Sequence, residues 1–375
     1  MKWKIPLYKI FTDRDDNKAV NKVLQRGMDW AIGHEIAEFE KKIANYIGTK
    51  YCVAFNSGTS AGHAALLAIN INSGEVIVPS FTFISTANWP LMVNAKPKFV
   101  DIEEENFGLN PERVKLEITK NTKAIIPIHY GGRPCKIIEI NRIARNKKIT
   151  LIEDCAESFG AKIKGVSVGT FGQMSIFSFA PNKILTTGEG GVICTDSRKI
   201  FEKLQLIRSH GRKVNENYFK TSQLPDYISI GYNWRMSSMT AALGLSQFDK
   251  LDRIIQLRRR HARFYVLKLK KINEIKLPDE PKDHLHVYQL FTIQLKNNLI
   301  RNELQKFLAS RGIMTKVFFE PIHLSKFYRK SGFGKKSLPN TEKISQTVLS
   351  LPIFPGLKSE EIRHICDSIK EFFQN

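Results

Sequence analysis

No Cys-x-x-Cys pair occurs in this chain, and its five cysteines, Cys52, Cys135, Cys155, Cys194 and Cys366, lie far apart. Odd in number and scattered, they argue against a disulfide scaffold or a cysteine-built zinc site, and we assign the chain to the reducing cytoplasm. Long hydrophobic runs are missing as well, so no membrane span is expected. The opening MKWKIPLYKIFTDRDDNKAV meets charge too early for a secretory signal peptide. Internal repeats, low-complexity tracts and flexible linkers are absent. Acidic residues are scarce: 36 Asp and Glu stand against 58 Lys and Arg, a formal net charge of +22. Such an excess fits a nucleic acid, a membrane surface or a small anionic substrate. The basic residues are dispersed, however, through KLKKI, RRRHAR, YRKSGFGKK and RNKK. With no basic tail and no RNA-binding motif, we read them first as surface charge and next as steering for an anionic metabolite. Nucleic acid comes last.

What is present is the material of a large core. A chain of 375 residues, 42% hydrophobic, would usually divide into one large domain and one smaller one. Short β-branched runs (YCVAF, VIVPS, KPKFVDI, AIIPIHY, ITLIEDC, MSIFSFA, GGVICT) alternate with helical stretches such as SAGHAALLAI and CKIIEINRIARNKK. That alternation predicts an α/β fold, a mostly parallel sheet covered by helices on both faces. From about residue 237 a helical period runs for some thirty residues, long enough to cross between domains. HVYQLFTIQL and IMTKVFF then read as strands around the helix LIRNELQKFLASRG, before two closing helices. The expected division is 26–250 for the large domain and 251–375 for a small α+β domain, with residues 1–25 packed near the latter.

Ligands of such sheets gather beyond the carboxyl ends of the strands, and four features fall there. In FNSGTSAGHAALLAI a strand is followed by Gly58, Thr59, Ser60 and a helix. A helix start of this kind suits phosphate, although an ordinary cap uses the same residues. ITLIEDCAESFGA ends a strand on Glu153 and Asp154. A carboxylate buried there needs a cation, such as a protonated pyridine nitrogen, unless Asp154 only caps the next helix. Lys183 follows 29 residues later in FSFAPNKILTTGEGGV, between an apolar strand and glycines. Most lysines are solvated, but a desolvated one forms a Schiff base with an aldehyde. GYNWRMSSMTAALG offers Asn233 and Arg235, which either clamp an anion or satisfy loop backbone. Taken together these are the parts of a pyridoxal phosphate enzyme, with Phe83 of VPSFTFIST as the ring's aromatic face.

The ordered blocks, from GHEIAEFEKKIANYIGTKYCVAFNSGTSAGHAALLA through LIEDCAESFGA and FSFAPNKILTTGEGG to LSLPIFPGL, resemble the DegT-type sugar aminotransferases. The resemblance implies a fold-type I pyridoxal phosphate enzyme working as a homodimer with shared active sites. It implies that Lys183 holds the cofactor and moves the proton, while Asp154 pairs with the pyridinium nitrogen. Glu157 would lie near the 3-hydroxyl, Phe83 would stack on the ring, and Thr59, Ser60 and Ser178 would hold the phosphate. Asn233 would come from the other subunit. Ala180 departs from the family, where many relatives carry an aromatic residue or histidine, and this leaves the shape of the sugar pocket open. One branch replaces the lysine with histidine and deoxygenates sugars; retention of Lys183 favours transamination. The implied partners are an amino-acid donor, glutamate, and a nucleotide-linked keto sugar. TKVFFEPIHL resembles a loop of the perosamine-type branch, which favours a 4-keto-6-deoxy sugar. Two alternatives stand beside this: a dehydratase or isomerase of the same fold, and a non-catalytic regulatory or nucleic-acid-binding relative.

Overall fold

The computed structural model describes residues 3–213, 222 and 224–374. Its first apolar runs form β1 (Tyr51–Phe55), β2 (Glu75–Pro79), β3 (Lys96–Val100), β4 (Thr122–Ile125) and β5 (Thr150–Asp154). Two short strands, β6 (Lys162–Ile163) and β7 (Val166–Ser167), precede β8 (Met174–Ser178) and β9 (Gly191–Thr195). Seven of these make one sheet in the order β1-β9-β8-β5-β4-β2-β3. Four neighbouring pairs are parallel, and β9 alone runs antiparallel, to both β1 and β8.

Helices α1 (Arg14–Gln25), α2 (His34–Ile47), α3 (Gly58–Ala68), α4 (Ile84–Met92), α5 (Pro111–Glu117), α6 (Ile137–Asn146), α7 (Arg198–Arg208) and α8 (Ser238–Asp249) surround or flank that sheet. Alternate residues of one strand serve opposite layers. Val53 and Phe55 join Ala61, Ala65 and Leu204 of α3 and α7, whereas Cys52 and Ala54 join Phe39 and Ile43 of α2. Both faces are therefore covered, which is why the strands read as nearly continuous apolar runs.

A second core forms around α9 (Leu251–Leu269), with β10 (Ile275–Lys276), β11 (His284–Leu285), β12 (Phe291–Leu295), α10 (Asn298–Ser310), α11 (Lys326–Lys330), α12 (Pro339–Thr347), β13 (Val348–Leu351) and α13 (Ser359–Gln374) completing the chain. Leu251, Ile254 and Ile255 of α9 belong to the large core, and Ala262, Tyr265 and Leu269 to the second. The long helical period is thus interrupted. Lys250 separates α8 from α9, and its ammonium is tied to Asp16 at 2.6 Å and Asp13 at 2.9 Å. At the amino terminus, Ile5 bridges to Ile313 while α1 packs on α8.

Two expected strands are shorter than their sequence suggests. In HVYQLFTIQL only Phe291–Leu295 joins the sheet. Val287 and Leu290 donate instead to the carbonyls of Gly132 and Gly131, a turn beside β5, and Tyr288 takes a positive φ of 50°. IMTKVFF makes only isolated bridges, from Ile313 to Ile5 and from Lys316 to Ser350. Among the described residues no helix is long and apolar enough to cross a membrane.

Candidate active site

The carboxyl ends of β1, β2, β5 and β8 open onto one edge of the sheet, and the predicted residues are distributed along it. Ser57 caps α3 by accepting from the Ser60 amide at 3.0 Å. The first-turn amides of Gly58 and Thr59 have no carbonyl of their own helix to meet. Ser178, the last residue of β8, abuts this turn: a Cβ built on Gly58 would stand 3.0 Å from the Ser178 Cβ. Gly191, at the start of β9, is packed more tightly still, since a Cβ there would lie 2.6 Å from the Gly58 nitrogen. Thr59 is exposed, and its hydroxyl bonds that of Ser85 at 2.9 Å. Together these residues form a cradle of amides and hydroxyls at a helix amino end, suited to an anion.

The first turn of α4 connects the cradle to the carboxylate of β5. Phe83, the residue before α4, is 59% exposed despite being aromatic, with its ring centroid 6.4 Å from that of Phe319. Phe319 lies within TKVFFEPIHL, so that stretch reaches the Phe83 side of the edge. Three residues on, the Thr86 hydroxyl donates to Asp154 Oδ2 at 2.7 Å and is itself bonded to Thr82. Asp154 is buried at 6% exposure. Its other oxygen accepts from the Ala156 amide at 3.1 Å, which fixes a local turn; no helix follows β5 directly, so Asp154 does not act as a helix cap. Burial pushes the Asp154 carboxyl above the usual range, opposed by the bonds from Thr86 and Ala156 and by the charge of Lys183. Among the described residues no cation comes within ion-pair distance of it.

Lys183 closes a tight turn, Ala180-Pro181-Asn182-Lys183, in which its amide bonds the Ala180 carbonyl at 3.0 Å. Proline at the second position presets such a turn. Its side chain is 14% exposed and points its Nζ to within 3.6 Å of Glu157 Oε1. Glu157 is held in place through its second oxygen, which accepts from the Gly131 amide at 2.8 Å. Lysine and Glu157 therefore meet directly, while Asp154 is coupled to Lys183 through space.

Glu153, next to Asp154, has a different task. Its two oxygens accept from the amides of Gly169, Phe171 and Gly172 at 2.7 to 2.8 Å and face His129 at 3.2 Å. Cys155 completes a buried cluster whose possible ligand atoms lie within 4.8 Å of one another. With four bonds already on two carboxylate oxygens, Glu153 is occupied in fixing the 169–172 loop. His129 accepts from the Cys135 amide through Nδ1, so it offers Glu153 its Nε2 hydrogen.

Among the described residues no hydrogen bond joins Asn233 to the groups around Lys183. Asn233 is exposed, pairs with Ser209, and precedes Trp234, whose carbonyl receives the Asn56 amide at 2.8 Å. Arg235 bridges to Phe55 and bonds the Ser209 hydroxyl at 3.3 Å. Both therefore flank the end of β1. Sequence reasoning missed Thr86 and Ser85; their only signal was their position one turn beyond Phe83.

Residues 11–370 match the DegT/DnrJ/EryC1/StrS aminotransferase family. The chain belongs to that family. It is 35% identical over 373 residues to the GDP-perosamine synthase of Escherichia coli O157:H7, covering 99% of each chain. Among solved structures it is similar to Helicobacter pylori PseC, an aminotransferase involved in the biosynthesis of pseudoaminic acid. The two share 26% identity at a TM-score of 0.92, over 100% of both chains. It is also similar to S. venezuelae DesV, solved in complex with a ketimine intermediate, at 29% identity and a TM-score of 0.90 over 100% of both. Membership of this aminotransferase family agrees with the α/β architecture and with the residues gathered at the sheet edge.

Proposed function

We propose that this chain is a pyridoxal phosphate-dependent aminotransferase that converts a keto-sugar nucleotide into an amino-sugar nucleotide, with glutamate as donor. The observation that carries the reading is Asp154, a carboxylate buried at a strand end with no cation within ion-pair distance among the described residues. A pyridinium nitrogen would supply that cation, the α3 turn suits a phosphate, and the exposed face of Phe83 suits a planar ring. Bound there, the cofactor would supply an electron sink through which nitrogen passes between amino acid and ketone.

The chain's own residues do the rest. Lys183 would hold the cofactor aldehyde and, when released, move a proton at its Nζ. Asp154, its carboxylate oriented by Thr86, would keep the ring nitrogen charged. Glu157 faces the Lys183 ammonium and would serve the 3-hydroxyl, while Thr59, Ser60 and Ser178 would hold the phosphate. A 4-keto-6-deoxy acceptor is supported by the E. coli relative and by the placement of TKVFFEPIHL against Phe83. We keep the division at residues 250 and 251, and a cytoplasmic location, where the five free thiols stay reduced.

A homodimer is part of the proposal, with Asn233 reaching the partner's phosphate. Leu224, Tyr227, Ile228 and Ile230, exposed by 53 to 94%, form an apolar run of the kind that marks an interface. Sedimentation should therefore find a dimer, and its dissociation should abolish activity.

The direct test is incubation of the purified protein with pyridoxal phosphate, glutamate and a nucleoside-diphosphate 4-keto-6-deoxy sugar, followed by mass spectrometry. A nucleotide sugar carrying a new primary amine supports the assignment. A deoxygenated or isomerised sugar without nitrogen would overturn it. Gly191→Ala tests the cradle: the added methyl displaces the α3 turn from its phosphate. The expected result is a Kd for pyridoxal phosphate raised about tenfold, the weight of one charge-assisted hydrogen bond, measured by absorbance titration.

A further inference from the structure

Lys183 lines a cleft of about 280 Å³, counting its open mouth. The other walls include the amino-terminal strap Tyr8–Phe11, Asn182 and Arg258 of α9. The charged residues lining it are Lys9, Lys183 and Arg258, with no Asp or Glu among them. Arg258 is the unusual member. Only 3% exposed, it has no carboxylate within ion-pair distance among the described residues. Its Nη1 donates to the carbonyls of Tyr288 at 3.0 Å, Gln289 at 3.3 Å and Ile353 at 3.1 Å. Its Nε is buried without a partner, and among the described residues no hydrogen bond leaves from Nη2. Gln289, anchored through its amide nitrogen on the Asn182 carbonyl, likewise keeps a buried side-chain oxygen unpartnered.

Nε and Nη2 form one edge of the guanidinium, two parallel donors spaced for the two oxygens of a carboxylate. Burial lowers the Arg258 pKa to about 10, which leaves the group charged at neutral pH. A buried cation without a counter-charge destabilises the fold until an anion arrives. The carboxylate of an α-amino acid is bonded to the same carbon as its amine, so an amine delivered to Lys183 brings that carboxylate into the cleft.

We propose that Arg258 binds the carboxylate of the amino donor through its Nε–Nη2 edge. The inference rests on the aminotransferase reading above. It makes Arg258 a donor-specific residue, separate from the phosphate cradle and from the sugar nucleotide.

Arg258→Lys is the informative substitution, because it keeps a cation near the three carbonyls and removes the fork. In the holoenzyme, the glutamate concentration giving half-maximal bleaching of the visible band is expected to rise about tenfold or more, as for loss of a charge-assisted bond. Half-saturation by the keto-sugar nucleotide and the melting temperature stay close to wild type. In the apo protein, 2-oxoglutarate raises the melting temperature of the wild type and not of the variant. An unchanged glutamate requirement overturns the proposal. So does a parallel weakening toward both substrates with a fall in melting temperature, which would mark Arg258 as a strut between α9 and residues 288–289 and 353. If the wild-type band responds to no amino acid, the aminotransferase reading itself fails and takes this inference with it.

Discussion

Lys183→Ala is expected to lower turnover by at least on the order of 10⁴-fold, since it removes both the attachment point of the cofactor and the group that moves the proton. The loss should be chemical and not structural. Lys183 is partly open to solvent at 14% exposure, and its turn is held by the Ala180 carbonyl and Pro181, which the substitution leaves alone. Glu157 loses an ion-pair partner but keeps the Gly131 amide. Lys183→Arg separates charge from chemistry: it retains a cation beside Glu157, yet a guanidinium stays protonated and does not form the imine bond. Both variants should fold, melt near the wild type and lack the wild type's visible band with added pyridoxal phosphate. Residual turnover within tenfold of wild type in either one would remove Lys183 from the reaction.

Much of this site was legible because its parts are local. A short apolar run followed by a polar residue marks the carboxyl end of a parallel strand, and Ser57–Ser60, Asp154 and Ser178 all sit at such ends. The Pro181–Asn182 turn before Lys183 is equally local. What stayed hidden depends on pairs distant in the chain. Thr86 matters only because α4 lays its first turn against Asp154, 68 residues away. Nothing in HVYQL announces that its amides bond Gly131 and Gly132 and leave the sheet unextended.

Arg258 is an intermediate case. Within RRRHAR it looks like one more solvated base. Yet Ile254, Ile255, Arg258, His261, Ala262 and Tyr265 repeat at helical spacing and form the buried face of α9. Read against that period, Arg258 falls on the apolar stripe while Arg260 does not. Part of the net charge is therefore internal.

Asp154→Asn is expected to separate stability from function. In the folded chain burial raises the carboxyl's pKa above its ordinary value, with the bonds from Thr86 and Ala156 only partly opposing that rise. A raised acid binds its proton more tightly when folded than when unfolded. Stability therefore falls as pH climbs from the ordinary aspartate range through the raised value, and stays lower above it. At neutral pH, then, the ionised carboxylate weakens the apo protein. Asparagine removes that charge while keeping an oxygen for the Ala156 amide and an amide for the Thr86 hydroxyl. The apo variant should melt about 2 °C or more above wild type at pH 7, roughly the shift that 1 kcal/mol produces in a chain of this class. The difference should shrink as the buffer is acidified. Turnover should move the other way, falling on the order of 10³-fold, because losing one member of a buried ion pair costs about 3–5 kcal/mol. Melting curves of the apo protein from pH 5 to pH 8, beside kcat for both proteins, measure the two halves together. A variant that is less stable at pH 7 would mean that Asp154 is held for the fold. One that turns over near the wild-type rate would mean that no ring nitrogen depends on it.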